Sequence, residues 1–251
     1  MPSTSQPSAT QPSVVFVHGA FADSSGWLGP ISLLEAAGYR AFAPANPLRG
    51  LGTDSDYLRA FLDTIPGPIV LVGHSYGGAV ITNAATGNPN VAALVYINAF
   101  ALDEGEPVAV ANELGGGHST LTEHIVARPF PGAADGDADA YIDPEFFHSI
   151  FGQDLPEADA AALAATQRPA ALSTLGVPSG PPAWKSIPSW YLVSSNDRII
   201  PPEAERFMAA RANARTMEID SSHVAMISHP QEVVDLIFDA IRSTTRESVN
   251  G

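Results

Sequence analysis

Short apolar runs alternate with longer amphipathic stretches along most of this chain. Val14-Val15-Phe16-Val17 is apolar on both faces and largely β-branched, the pattern of a strand buried in a parallel sheet. Residues 24–37 read as a helix closed by Gly38, and residues 39–43 as a second strand stopped by Pro44 and Pro47. Over residues 53–65 the apolar positions Tyr57, Leu58, Phe61, Leu62 and Ile65 recur at helical spacing. A third strand at 69–72, a helix of small residues at 77–85 and a fourth strand at 91–97 follow. The alternation then stops. Residues 102–187 are rich in Gly, Pro, Ala and Asp, with helical patches at 144–151 and 156–166. It resumes with a strand at 190–194, a helix at 202–212, a strand at 215–219 and a final helix at 230–242.

Strands alternating with helices predict an α/β architecture: a mostly parallel six-stranded sheet with helices on both faces. The interruption predicts an inserted, mainly helical cap over one end of that sheet. The expected organisation is a core domain of residues 14–101 and 188–251, with the cap subdomain at 102–187. Residues 1–13, MPSTSQPSATQPS, have neither the basic nor the apolar region of a secretion signal and are expected to form a disordered lead.

Composition narrows the function classes. Hydrophobic residues make up 45% of the 251 positions, enough for a substantial core. Twelve basic against 27 acidic residues give a net charge of -15. Such a surface repels phosphate backbones and anionic lipid, so no nucleic acid and no membrane partner is expected. No apolar run reaches the roughly 20 residues that cross a bilayer. The absence of cysteine excludes disulfides, thiolate catalysis and cysteine-ligated metals. A cytoplasmic protein, monomer or homodimer, is the expectation.

Gly73-His74-Ser75-Tyr76-Gly77 fits G-x-S-x-G. The bare pattern is common, but here it directly follows a predicted strand and directly precedes a helix of small residues, the setting of a nucleophile elbow. There a serine on a sharp turn stands clear of the sheet, and the helix N-terminus favours developing negative charge. The competing reading is a glycine-rich turn with an incidental serine. His223 lies on the loop leaving the last predicted strand, where α/β sheets build their sites, and is the candidate base for Ser75. His18 and His74 belong to turn motifs and read as structural.

Together Val17-His18-Gly19-Ala20-Phe21, Gly-His-Ser-Tyr-Gly-Gly and the late Ser-His-Val-Ala-Met resemble the α/β-hydrolase superfamily. Within it they resemble the branch of small esterases that includes plant methylesterases and hydroxynitrile lyases. The resemblance implies a triad in the order serine, acid, histidine. It assigns the acid to Asp197, in Ser195-Asn196-Asp197-Arg198-Ile199-Ile200-Pro201, with Asp103 as a rival because some members place the acid after the preceding strand. It also implies an oxyanion hole from the backbone amides of Ala20 and Tyr76. Phe21 would face the substrate or tuck under the insertion. The aromatic residues Phe130, Phe146, Phe147, Phe151 and Trp184 would line a pocket or form the cap's own core, with Trp184 and Phe21 as the substrate-binding candidates.

The activity implied is carboxylester hydrolysis through an acyl-enzyme, with a small-molecule ester as substrate and neither organic cofactor nor metal. The alternatives are a non-catalytic ligand-binding protein on the same fold, or an amidase, lactonase or carbon–carbon hydrolase with the same triad. Hydroxynitrile lyases of this branch carry a threonine where this chain has Gly19 and a lysine where it has Val224, which disfavours a lyase.

Overall fold

A computed structural model describes residues 11–250; the first ten positions of the expected lead lie outside the described residues, and Ser13 already belongs to the first strand. The chain runs β1 (Ser13–Val17), α1 (Leu28–Ala36), β2 (Ala41–Phe42), α2 (Leu51–Leu62), β3 (Ile69–Ser75), α3 (Tyr76–Ala84) and β4 (Val91–Ala99). The inserted stretch holds α4 (Val108–Ala111), β5 (Ile125–Arg128), β6 (Asp139–Ile142), α5 (Pro144–Phe151), α6 (Glu157–Thr166) and β7 (Ala170–Ala171). Then come β8 (Ser189–Ser194), α7 (Pro202–Arg211), β9 (Arg215–Ile219), α8 (Ala225–Ser228) and α9 (Pro230–Asn250).

Six strands form one sheet in the order β2-β1-β3-β4-β8-β9, and each neighbouring pair is parallel. β1, β3 and β8 are buried along their whole length, which is why their sequences are apolar without alternation. The chain moves from β1 outward to β2 and then crosses back to β3 on the other side of β1. Right-handed crossovers in opposite directions place helices on opposite faces. Accordingly α1 packs with α9, and α2 with α3. The reversal between β1 and β3 opens a crevice at the C-terminal ends of those two strands, the place where doubly wound sheets bind ligands.

The first helix and the insertion differ most from the sequence reading, and the short helices α4 and α8 were not expected. The helix expected at 24–37 is a short 3₁₀ turn, Ser24–Trp27, followed by α1; Asp23 caps the turn by accepting the Ser25 amide at 2.7 Å. Gly26, Gly29 and Pro30 give too little support for one unbroken helix. The insertion also carries a three-stranded antiparallel sheet, β5-β6-β7, beside its helices. Its strands are four, four and two residues long, too short for a readable alternation.

Candidate active site

The elbow is present at the end of β3. Ser75 has φ 53° and ψ -125°, a left-handed conformation that costs a side-chain-bearing residue about 1–3 kcal/mol. The turn is tight enough to require glycine on both sides of the serine. A Cβ on Gly73 would stand 2.7 Å from the Gly77 carbonyl oxygen, and one on Gly77 would run into the Val17 carbonyl. Phe21 (φ 61°) and Asn98 (φ 45°), on the loops after β1 and at the end of β4, share the left-handed conformation.

His223 and Asp197 meet although 26 residues separate them, because β8 and β9 are neighbours and both loops leave the same edge. His223 Nδ1 lies 2.5 Å from Asp197 Oδ2, and both side chains are fully buried. The other carboxylate oxygen, Oδ1, accepts the amides of Ile199 at 2.7 Å and Ile200 at 3.0 Å. With Nδ1 donating to the carboxylate, Nε2 is the basic nitrogen. Nε2 is buried and makes no hydrogen bond, to Ser75 Oγ or to any other described residue.

The two sequence histidines read as structural hold this framework. His18 Nε2 accepts the Asn46 amide at 2.9 Å, so Nδ1 carries the proton and donates to the Gly19 carbonyl at 2.9 Å. His74 donates to the His223 carbonyl. Burial lowers the pKa of both, His74 well below the usual value, so both rings are neutral.

Ala20, Phe21, Ser75 and Tyr76 line a cavity of about 240 Å³ at the β1/β3 crevice. Its far wall comes from the insertion, through Val108, Leu121 and Leu175, and from Ile199 beside the acid. Asn112, Glu113, His118 and Glu123 add polar groups to the lining. The insertion is tied to the site loops: the Phe21 amide donates to the Arg168 carbonyl at 2.9 Å, the Ser222 amide to the Asp154 carboxylate at 2.9 Å, and Ser119 Oγ to the Ile199 carbonyl at 2.8 Å. Tyr76 turns its hydroxyl away from the cavity, donating to Asp54 at 2.8 Å.

Trp184, expected to touch substrate, is not among the residues lining this cavity. Its indole N–H donates to the Leu102 carbonyl at 2.8 Å, and the cations of Lys185 and Arg211 lie over its ring. The indole of this half-buried residue thereby joins the two ends of the insertion. Phe147 and Phe151 pack on each other in the interior, Phe146 stacks on His124, and Phe130 lies under the Arg49 guanidinium. The rival acid Asp103 forms an ion pair with Lys185 at 2.6 Å, away from His223. The apolar wall residues Val108 and Leu121 had no motif to mark them, and Ile199 was quoted only as part of the stretch around Asp197.

Among the described residues no group of histidine and acidic side chains could hold a metal ion, and no helix is long and apolar enough to cross a membrane.

The chain belongs to the alpha/beta hydrolase family, whose model matches residues 14–236. It is similar to Methylesterase 18 of Arabidopsis thaliana, 28% identical over 91% of this chain and 97% of that one. It is also similar to Methylesterase 17 of the same plant, at 25% identity over 94% and 93%. Among solved structures, a pyrethroid hydrolase from Sphingobium faniae JZ-2 superposes with a TM-score of 0.77 at 21% identity, covering 94% of this chain and 99% of that one; this likeness is one of fold.

Proposed function

We propose that the protein is a serine carboxylesterase that cleaves small to medium esters through an acyl-enzyme on Ser75. One observation carries the reading: a fully buried Asp197–His223 pair stands at the same sheet edge as a serine held in a strained elbow. The esterase relatives support the reaction class.

In this mechanism His223 Nε2 takes the Ser75 proton as Oγ attacks the ester carbonyl. Asp197 holds the imidazole with Nδ1 protonated and stabilises the imidazolium that forms. The Ala20 and Tyr76 amides receive the oxyanion, aided by the N-terminus of α3. His223 then protonates the leaving alkoxide, and a water repeats the sequence to release the acid. Residues 102–187 act as the cap, and their apolar wall sets the size of group accepted. Phe21, on both the cavity and the oxyanion loop, is the proposed substrate contact. The substrate is a small molecule, with neither nucleic acid nor membrane as partner, and the cytoplasm is the proposed compartment; the net charge of -15 supports this.

The test is Ser75→Ala against a chain-length series of nitrophenyl esters. The variant should fold normally and lose several orders of magnitude in turnover. Retention of more than about a tenth of wild-type activity would overturn the assignment.

A further inference from the structure

Near Asp197 lies a second carboxyl group that the mechanism above does not use. Glu205, on α7, has no solvent exposure. Its Oε2 accepts the Ser194 amide at 2.9 Å, and Oε1 is 3.4 Å from Asn98 Nδ2. Its third neighbour is the Asp197 carboxyl: the Asp197 amide donates to the Ser194 carbonyl at 3.2 Å, in the turn whose amide Glu205 accepts, and burial together with the Asp197 charge raises the Glu205 pKa. A hydrogen bond between two carboxyl groups needs one proton between them.

The donors decide which group is ionised. Asp197 receives two backbone amides and the His223 N–H, three donors at 3.0 Å or less. Glu205 receives one short amide bond and one long side-chain contact. The negative charge therefore belongs on Asp197 and the proton on Glu205. Burial first, and the charge on Asp197 second, raise the Glu205 pKa well above its ordinary 4.5. The other ionisable groups around it are Tyr191, whose own pKa burial raises further, and Arg206, which is bonded outward to Glu218.

We propose that Glu205 is a positioning residue: its neutral carboxyl donates a hydrogen bond to Asp197 and fixes the carboxylate that orients His223. The chain of contacts runs Ser194 and Asn98 to Glu205, Glu205 to Asp197, and Asp197 to His223. Asn98 keeps its left-handed backbone at the β4 end of this chain. Asp197 thus has donors on every side, so its second oxygen faces the imidazole in one orientation.

The proposal rests on the triad reading, and its test separates the two. Glu205→Leu keeps the bulk and removes the donor; it should lower kcat about tenfold or more while KM changes less than about threefold. Glu205→Gln restores an N–H donor to Asp197 and an acceptor to Ser194, and should recover kcat to within about threefold of wild type. Its kcat/KM profile should keep the wild-type acid limb, because no charge has been removed. Infrared difference spectra of wild type against Glu205→Gln at about pH 8 should contain a protonated-carboxyl carbonyl band. That last measurement needs neither activity nor a folded leucine variant. Absence of the band, displacement of the acid limb in Glu205→Gln, or full kcat in a folded Glu205→Leu would each overturn the proposal. Full activity in Asp197→Asn would instead sink the triad reading and leave the carboxyl band untouched.

Discussion

His74 donates its Nε2 hydrogen to the backbone carbonyl of His223, 149 residues further along the chain, at 2.8 Å. The ring before the nucleophile thereby holds the backbone of the proposed base, and the two imidazoles lie 4.6 Å apart. Phenylalanine at position 74 fills the space but cannot donate. His74→Phe should cost about 1–3 kcal/mol in chemical denaturation, the usual penalty for a buried carbonyl left unpaired. It should lower kcat more than it raises KM.

The same residue sets a pH dependence. Burial, with smaller contributions from His223 and His18, holds the His74 pKa well below its ordinary 6.5. The unfolded chain therefore binds this proton first, and stability falls as pH drops below about 6.5 until the buried ring itself is protonated. His74→Phe has no such group, so its melting temperature should decline less steeply between about pH 6.5 and 5 than that of wild type. Parallel declines would show that His74 contributes no part of the acid sensitivity.

The choice between the two aspartates can be tested directly. Asp197→Asn puts an amide against His223 Nδ1 and favours the wrong tautomer, so kcat should fall roughly a thousandfold or more. Asp103→Asn breaks only the half-exposed pair with Lys185, and should change stability by less than about 0.5 kcal/mol with turnover intact. The reverse ranking of the two variants would move the acid to Asp103.

All six strands were readable, with ends displaced by a few residues: the four inner strands are buried on both faces and so form continuous apolar runs, while the edge strands β2 and β9 are partly exposed and were read from the strand–helix alternation. The edge strand β2 shrank most, to two residues, because Pro44 and its exposed side leave it little to pair with. Ser75 and His223 stood out as candidates because each lies at or just after the end of a strand, and Asp197 because the family resemblance pointed to the loop after β8. Of the insertion, the helices at Pro144–Phe151 and Glu157–Thr166 were legible and the rest was not. Its small strands carry no period, and aromatic type says nothing of direction, so Trp184 was read toward the cavity when its indole N–H is satisfied at Leu102. Glu205 left a faint signal: it follows Ala204 and precedes Met208 by three positions, on the buried face of α7. An acid on an apolar helical face marks a partnered carboxyl, but only the fold identifies that partner as Asp197.

Gly19 has no room for a side chain. A Cβ there would lie 2.6 Å from Ser75 Cβ and 3.0 Å from the His74 carbonyl oxygen. Both neighbours belong to the strained elbow, which has no slack to yield. Gly19→Ala should fold with a loss of about 1–3 kcal/mol, and should lower nitrophenyl ester turnover at least about tenfold by displacing Ser75 from the amides of Ala20 and Tyr76. A variant with wild-type kcat would show that the elbow adapts, and that the close approach at Gly19 is not needed for catalysis.

The crowding at Gly19 also bears on the choice between ester hydrolysis and cyanohydrin cleavage. The lyases that the motifs resemble use a threonine hydroxyl at this position to hold the cyanohydrin. Here Gly19 has no hydroxyl, and a threonine would meet Ser75 before it met a substrate. Those lyases also place a lysine beside the triad histidine, where its charge stabilises departing cyanide. Val224 occupies that position, is fully buried, and lines only a small side cavity with Phe21 and Phe151. An ester needs neither group. Its leaving alkoxide is protonated by His223, and deacylation needs only a water near the same base. The pure protein should therefore hydrolyse short nitrophenyl esters and release cyanide from mandelonitrile no faster than buffer does. Efficient cyanide release that disappears in Ser75→Ala would mean that this cavity stabilises cyanide by some group other than those at positions 19 and 224.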